Sequence, residues 1–269
     1  LDDHVLDYYS HFSDQAPSGH FYDVIPLHDG VNLTLDQVRL KVPGFCRGWY
    51  ELAHLKREDR LEFLRDFWLS KLPFHKDLKS AISNFFSSLD DIGIFISCKD
   101  KKDPYIAEMI YSRKNGGGFF RGALPATEED LNRLKVEFSG FFFPKDYLAF
   151  LEIHNGFSKA TDVTGITPIK QMKELYLELQ EMLIERDISL KFKGKPVEPK
   201  ALIPFYESFG MPFFQCFLAD WRPLNQIGNV YFSANTLEIS DLDKGAKGEE
   251  SLAFQTFFDW LVFYLDQIE

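Results

Sequence analysis

His154, Glu207 and Asp220 are of the kinds that move protons in hydrolysis: an imidazole that titrates near neutrality and two carboxylates. They act together only within hydrogen-bond reach, and their spacing imposes no such meeting. No Gly-x-Ser-x-Gly elbow, His-Glu-x-x-His pair or Walker loop accompanies them. A carboxylate and histidine hydrolase therefore stands as one reading, and a helix-end cation or capping donor as the other reading of His154. Cys216 lies in the apolar run Phe213 to Ala219, the setting of a buried core thiol rather than of a nucleophile.

Two further groupings invite chemistry. His4, His11, His20 and His28 lie among Asp2, Asp3, Asp7, Asp14, Asp23 and Asp29, a pool of metal-ligand types. No two of these imidazoles have the His-x-x-x-His spacing that shares a helix face, so the reading is an exposed polar segment and no metal site. Asn115-Gly116-Gly117-Gly118 lacks the Lys-Ser/Thr or the Gly-x-Gly-x-x-Gly pattern of a phosphate cradle and reads as a turn or interdomain joint. No catalytic residue and no cofactor is assigned. The contact surface nominated is Asp220-Trp221-Arg222, where an aromatic and a guanidinium, types that dominate binding hot spots, follow a strand directly. A half-buried Trp221 with a local Asp220–Arg222 pair is the structural alternative, and a large stability loss in Trp221→Ala would favour it.

The chain has 269 residues, 45% hydrophobic, enough for one large core or two modest ones. Phe is unusually frequent at 28 residues, which predicts bulky core packing. The formal charge of −11 opposes general affinity for nucleic acid and suits a basic protein partner. Leu252 to Leu265 is the nearest approach to a membrane span, but Gln255 and Asp259 interrupt it. Cys46, Cys98 and Cys216 are too few and too far apart for a disulfide or zinc framework, so a reducing cytoplasm is the expected setting.

What must position these residues is an α+β fold, an antiparallel-rich sheet packed by helices, with an N-terminal helical and β-hairpin extension. Leu1 to about Gly48 reads as loop-rich. Leu61, Leu64 and Trp68 mark a helix from Arg57 to Pro73, and Leu78, Ile82, Phe85 and Leu89 a second capped by Asp77. Ile92 to Ile96 and Tyr105 to Tyr111 read as a β-hairpin. A boundary near Arg121 gives regions 1–120 and 121–269. Thr127 then caps a helix with Leu131, Leu134 and Phe138 on its buried stripe, and Met172, Leu175, Leu179, Met182 and Leu183 mark another. Ser189–Phe192, Ala201–Tyr206, Phe213–Ala219 and Asn229–Phe232 read as strands of an antiparallel meander. The segment from Asp241 to Glu250 reads as a solvated loop, after which Ser251 caps a closing helix carrying Phe254, Phe257, Phe258, Leu261, Leu265 and Ile268. Its apolar face belongs against a sheet.

Between the helix capped by Thr127 and the helix carrying Met172 lies Phe143 to Phe157, in which Pro144 suits the first helical position and Asn155-Gly156 the helix stop. Pro144, Tyr147, Phe150, Leu151, Asn155 and Gly156 come first in a longer series. Gly165-Ile166-Thr167-Pro168, Ile203-Pro204-Phe205, Gly228-Asn229-Val230-Tyr231 and Phe254 to Leu265 follow in order. This series resembles the SUKH superfamily, which groups fungal cell-wall-synthesis regulators with bacterial immunity proteins of polymorphic toxin systems. The resemblance spans about Gly122 to Glu269; Phe157 departs from it where many members have a further Gly, and the first 120 residues have no counterpart. It implies a noncatalytic α+β module that binds proteins, either an immunity protein whose acidic surface covers a basic toxin domain, such as a nuclease, or a regulator or scaffold. The matched positions carry structural roles and no site residue.

Overall fold

The computed structural model describes residues 1–10, 20–162, 164–208, 213–240 and 252–266. The chain divides into two compact units, the first running to Leu124 and the second beginning at Pro125. Arg121 is therefore inside the first unit.

The opening segment contains more structure than its punctuation suggests: α1 (Asp3–Tyr8), β1 (Asp23–Pro26), α2 (Leu35–Lys41) and α3 (Arg47–Ala53). Each is too short to display a full apolar period, so local chemistry marks it instead. In α2 the Thr34 hydroxyl accepts from the Gln37 N–H at 3.3 Å while the Gln37 side chain accepts from the Thr34 N–H at 2.8 Å, a reciprocal cap. Then come α4 (Arg57–Lys71) and α5 (Leu78–Ser87), which pack on one another as the helical hairpin expected. Asp77 occupies the cap position of α5, but its side chain accepts no cap hydrogen bond. Its carboxylate lies instead 3.9 Å from the Lys76 ammonium.

The strands β2 (Leu89–Cys98), β3 (Ile106–Arg113) and β4 (Phe119–Ala123) complete this unit. They follow β1 in an antiparallel order β1-β2-β3-β4, with Ile94 opposite Met109. The Asn115 to Gly118 cluster is the turn between β3 and β4, where Asn115 and two of the glycines have positive φ. Below the sheet Trp68 is fully buried against Phe85 and Phe86, and its indole N–H donates to the Tyr111 hydroxyl at 3.1 Å. Arg60 and Asp91 form a buried ion pair at 2.8 Å.

The second unit starts with α6 (Glu128–Glu137), capped reciprocally by Thr127 and Asp130. Then α7 (Lys145–Leu151) begins one residue later than Pro144, which is its cap in an extended conformation. Asn155-Gly156 does not close α7, which ends at Leu151 with Glu152 as its cap. Gly156 has φ +117, and the Asn155 side chain accepts from the Ile169 N–H at 2.9 Å. The asparagine thus satisfies an orphan donor of the following helix, α8 (Ile169–Glu185), preceded by the short strands β5 (Phe157–Lys159) and β6 (Gly165–Ile166).

The rest of the unit comprises β7 (Leu190–Phe192), β8 (Lys195–Val197), β9 (Leu202–Glu207), β10 (Phe213–Leu218), β11 (Asn229–Ser233), β12 (Glu238–Ile239), β13 (Ala253–Phe254) and α9 (Phe257–Asp266). Antiparallel pairing runs β5-β6-β9-β10-β11-β12, with β13 also on β11. The expected meander is β9-β10-β11. Ser189–Phe192 is not part of it: β7 folds onto β8 as a separate hairpin, because Lys193 and Gly194, both at positive φ, turn the chain back at once.

Alternation in β10 buries both faces. Phe214, Cys216 and Leu218 join Leu175, Leu179 and Leu183 of α8 in one core, while Phe217 on the other face stacks with Phe205 and meets Tyr147 of α7. Trp260 of α9 packs on Phe205 and Tyr206, so the aromatic closing helix lies against the sheet. That helix starts at Phe257: Phe254 is in β13, paired with Asn229, and Thr256 caps the helix by accepting from the Asp259 N–H at 3.0 Å. Ser251, the cap expected from sequence, and the loop from Asp241 to Glu250 lie outside the described residues, as does Ile268. Among the described residues no helix is long and apolar enough to cross a membrane.

Candidate functional site

The turn from β10 to β11 is built on three backbone bonds. Trp221 N–H donates to Leu218 C=O, Gly228 N–H to Trp221 C=O and Leu218 N–H to Gly228 C=O, each at 3.0 Å. These close the base of the loop and leave Arg222 to Ile227 as its apex. Pro223 starts a short 3-10 turn there, and Leu224 and Asn225 follow it with φ of +51 and +59. Left-handed backbone is unfavourable for leucine, and here it turns an apolar side chain, 71% exposed, to the outside.

Asp220 and Arg222 are exposed, and the Arg222 side chain donates to Ala219 C=O at 3.4 Å. Trp221 is half-buried. Its indole packs on Phe192 at 5.1 Å between ring centres and lies flat over Gly228, where an added Cβ would be 2.4 Å from the ring. Lys193 stands over the indole at 5.8 Å. The three nominated residues therefore share one turn, with the charged pair outward and the aromatic holding the turn to the core. Leu224 was not nominated from sequence. The signal for it is Pro223, which fixes a tight turn immediately before a large aliphatic residue.

Of the proton-transfer types, the two carboxylates are placed apart and the imidazole is packed against an aromatic ring. His154 is fully buried, its ring stacked on Phe157 at 5.5 Å. Glu207 accepts from the Thr164 hydroxyl at 3.1 Å and is paired with Phe214, at the start of β10. Asp220 follows Leu218 at the other end of that strand. Four residue steps of strand, about 13 Å, separate those ends. Burial pushes the Cys216 thiol far above its ordinary range, the opposite of an activated nucleophile.

A polar cluster not anticipated from sequence joins β9 and α9. Tyr264 donates to Asp162, Tyr206 donates to the other Asp162 oxygen at 3.2 Å, and the Lys159 N–H donates to both Asp162 and the Tyr264 hydroxyl. Burial first, and the adjacent carboxylate second, push both phenols well above their usual pKa. At neutral pH they are fixed hydrogen-bond donors that anchor the chain between β5 and β6. Asp146 similarly joins α7 to α9, accepting from the Phe258 N–H at 2.9 Å, and burial raises its carboxyl above the ordinary range. Gln215 and Asn229 are bonded to each other at 2.7 Å, and Asn229 donates to Thr256 C=O at 2.9 Å.

Of the N-terminal histidines, His4 bonds Asp2 at 2.8 Å, His28 is buried against Phe95, and His20 lies against Tyr8. His11 and Asp14 lie outside the described residues. Among the described residues no group of three His, Cys, Asp or Glu could hold a metal ion.

Comparison with known proteins gives one family match. The model described as the SMI1 / KNR4 family (SUKH-1) matches residues 125–262, which is just over half of the chain and begins at the first residue of the second unit. No curated protein and no solved structure matches.

Proposed function

The chain belongs to the SMI1 / KNR4 family (SUKH-1), and from that membership we propose a protein-binding module with no reaction of its own, acting as an immunity protein that neutralises a toxin by covering it. The observation that carries this reading is the turn after β10, where Asp220, Arg222 and an outward Leu224 are presented on a loop whose base is fixed by Trp221 over Gly228. A strained turn that exposes an aliphatic side chain just after two charged residues fits contact with another protein better than it fits stability. The charge of −11 favours a basic partner, such as a nuclease toxin domain, through fast and salt-sensitive association.

Affinity capture with the full chain tests this. Wild-type protein is expected to retain a basic toxin, and Leu224→Asp and Arg222→Ala to lose most of it with unchanged melting. Trp221→Ala reads stability as well as contact, because its ring packs on the core cluster. Capture of a partner that is no toxin would move the reading to a regulator or scaffold. Turnover of phosphoesters, esters or amides that disappears in His154→Ala would overturn it.

A further inference from the structure

Strand β2 has an edge that β1 covers only in part. Pairing runs from Asp23 opposite Cys98 to Pro26 opposite Phe95, and it stops there because the chain turns away into the 3-10 segment Leu27–Asp29. Backbone groups of an antiparallel strand point to alternate sides, so Ile94, like Ile96 and Cys98, directs its N–H and C=O toward the side of β1. The His28 imidazole meets them where β1 has ended: its Nδ1 lies 3.2 Å from the Ile94 nitrogen and 3.3 Å from the Ile94 oxygen. The ring fits because Gly93 has no side chain; a Cβ there would be 3.1 Å from the His28 Cε1. It meets Phe95 edge to face at 4.9 Å, and its side chain is 3% exposed.

One nitrogen therefore faces a donor and an acceptor of the same residue and can serve only one of them at a time. In the neutral ring with its proton on Nε2, Nδ1 accepts from the Ile94 N–H, which β1 leaves without a ladder partner. In the imidazolium Nδ1 carries a hydrogen, the Ile94 N–H loses its acceptor, and a charge is placed where little water reaches. Burial is the largest effect opposing that charge, and the Arg60 guanidinium of α4 opposes it too. Donation to the Ile94 C=O favours it, as do Asp29, 3.7 Å from Nε2 but 63% exposed, and Asp91 of β2, already held by Arg60 at 2.8 Å. Of the other charges near the turn, Asp90 is paired with Arg57, and Arg47 and Glu51 of α3 are paired with each other at the surface. His54, at the end of α3, bonds the Tyr50 C=O.

We propose that Val24 to Asp29 is a proton-operated latch on β2, closed while His28 accepts from Ile94 and released when the ring takes up a proton, with the rest of the first unit still folded. Release is local because what holds the remainder of the unit does not pass through His28. The ladders of β3 with β2 and β4 are separate from it, and Trp68 packs with Phe85, Phe86 and Tyr111 in a core of its own. The closed latch covers the edge of β2 from Ile94 to Ser97, so opening it bares strand backbone without a partner. This gives the first unit, which the family match at residues 125–262 does not reach, a conformational role of its own. It does not depend on the function proposed for the second unit.

Amide hydrogen exchange of the full chain, resolved to single residues by NMR and corrected for the intrinsic effect of pH, tests this. As pH falls below about 6.5, the value of an unconstrained imidazole, the amides of Ile94 and Ile96 should lose protection by up to about tenfold per pH unit. Those of β3 and β4 should keep theirs. His28→Gln, whose amide oxygen can accept from the Ile94 N–H and does not titrate, should show no such step. A second measurement needs no variant: the His28 Cε1–H resonance and the Ile94 amide of the wild-type chain should shift together, with a midpoint below 6.5. Protection lost equally in β3 and β4 would mean that the whole unit opens and would overturn the proposal. So would a step retained in His28→Gln, a ring that titrates at or above 6.5, or one that titrates without moving the Ile94 amide.

Discussion

At Gly228 the absence of one methyl group decides how a turn is held. An added Cβ would be 2.4 Å from the Trp221 ring, so the indole would have to shift from its packing on Phe192. Gly228→Ala is expected to lower stability by about 1–3 kcal/mol, the usual cost of overpacking, as read by chemical denaturation; an unchanged midpoint would mean that the indole is not fixed there. His28 gives a prediction of another kind. Its ring is buried beside Gly93 and Phe95, and burial depresses its pKa below the ordinary value of 6.5. The unfolded chain therefore takes up this proton first, so the group's contribution to stability falls as pH drops through about 6.5. Replacement by Gln should flatten that part of the stability profile, and an unaltered slope would refute the assignment. Single residues were the least legible part of the sequence. Asn155 invited the reading of a local helix stop, whereas its side chain caps a helix 14 residues onward, a partner that local spacing cannot reveal. Leu224 is outward because of its backbone conformation, and no periodicity encodes that.

Elements were more legible where they were long. The amphipathic pattern of α8 and the stripe of α4 persist through enough residues to fix both type and face, while the alternation of β2 fixes its type only, since both faces of that strand are buried. The shortest failed: β13 has two residues, and Phe254 within it falls at helical spacing from Phe257, Phe258 and Leu261 by coincidence. The hairpin β7–β8 was missed because Pro196 reads as a breaker, although a proline is tolerated where no ladder donor is needed. Connections between elements are testable through Asp146, which ties α7 to the start of α9. Its carboxyl is held above its unfolded pKa mainly by burial, so the folded state binds this proton more tightly than the unfolded chain. Its contribution is fully present below the unfolded value, near 4, and is lost as pH rises through the higher folded value. Asp146→Asn should remove that descending slope in urea-denaturation profiles, at a cost of about 1–3 kcal/mol for an imperfectly replaced acceptor. A variant whose profile parallels the wild type would show that the carboxyl does not titrate within the folded unit.

For the whole molecule, composition and order carried the most. The supply of Phe reappears as aromatic cores in both units, and the order of marks from Pro144 to Leu265 corresponds to the family match at residues 125–262. The candidate site was less legible than the fold: Asp220, Trp221 and Arg222 are nominated from their residue types, while the division between outward charges and an inward ring depends on Gly228 across the turn. The buried phenols have a practical consequence. Tyr9 and Tyr111 in the first unit and Tyr147, Tyr206 and Tyr264 in the second are all held above the ordinary value of 10.0, with burial the leading cause. Because the folded state retains these protons, stability must fall as alkali carries the solution past about pH 10. Ultraviolet absorbance of phenolate should then rise abruptly when structure collapses and these five rings are released. The protein carries its own optical gauge of alkaline unfolding, with no label required.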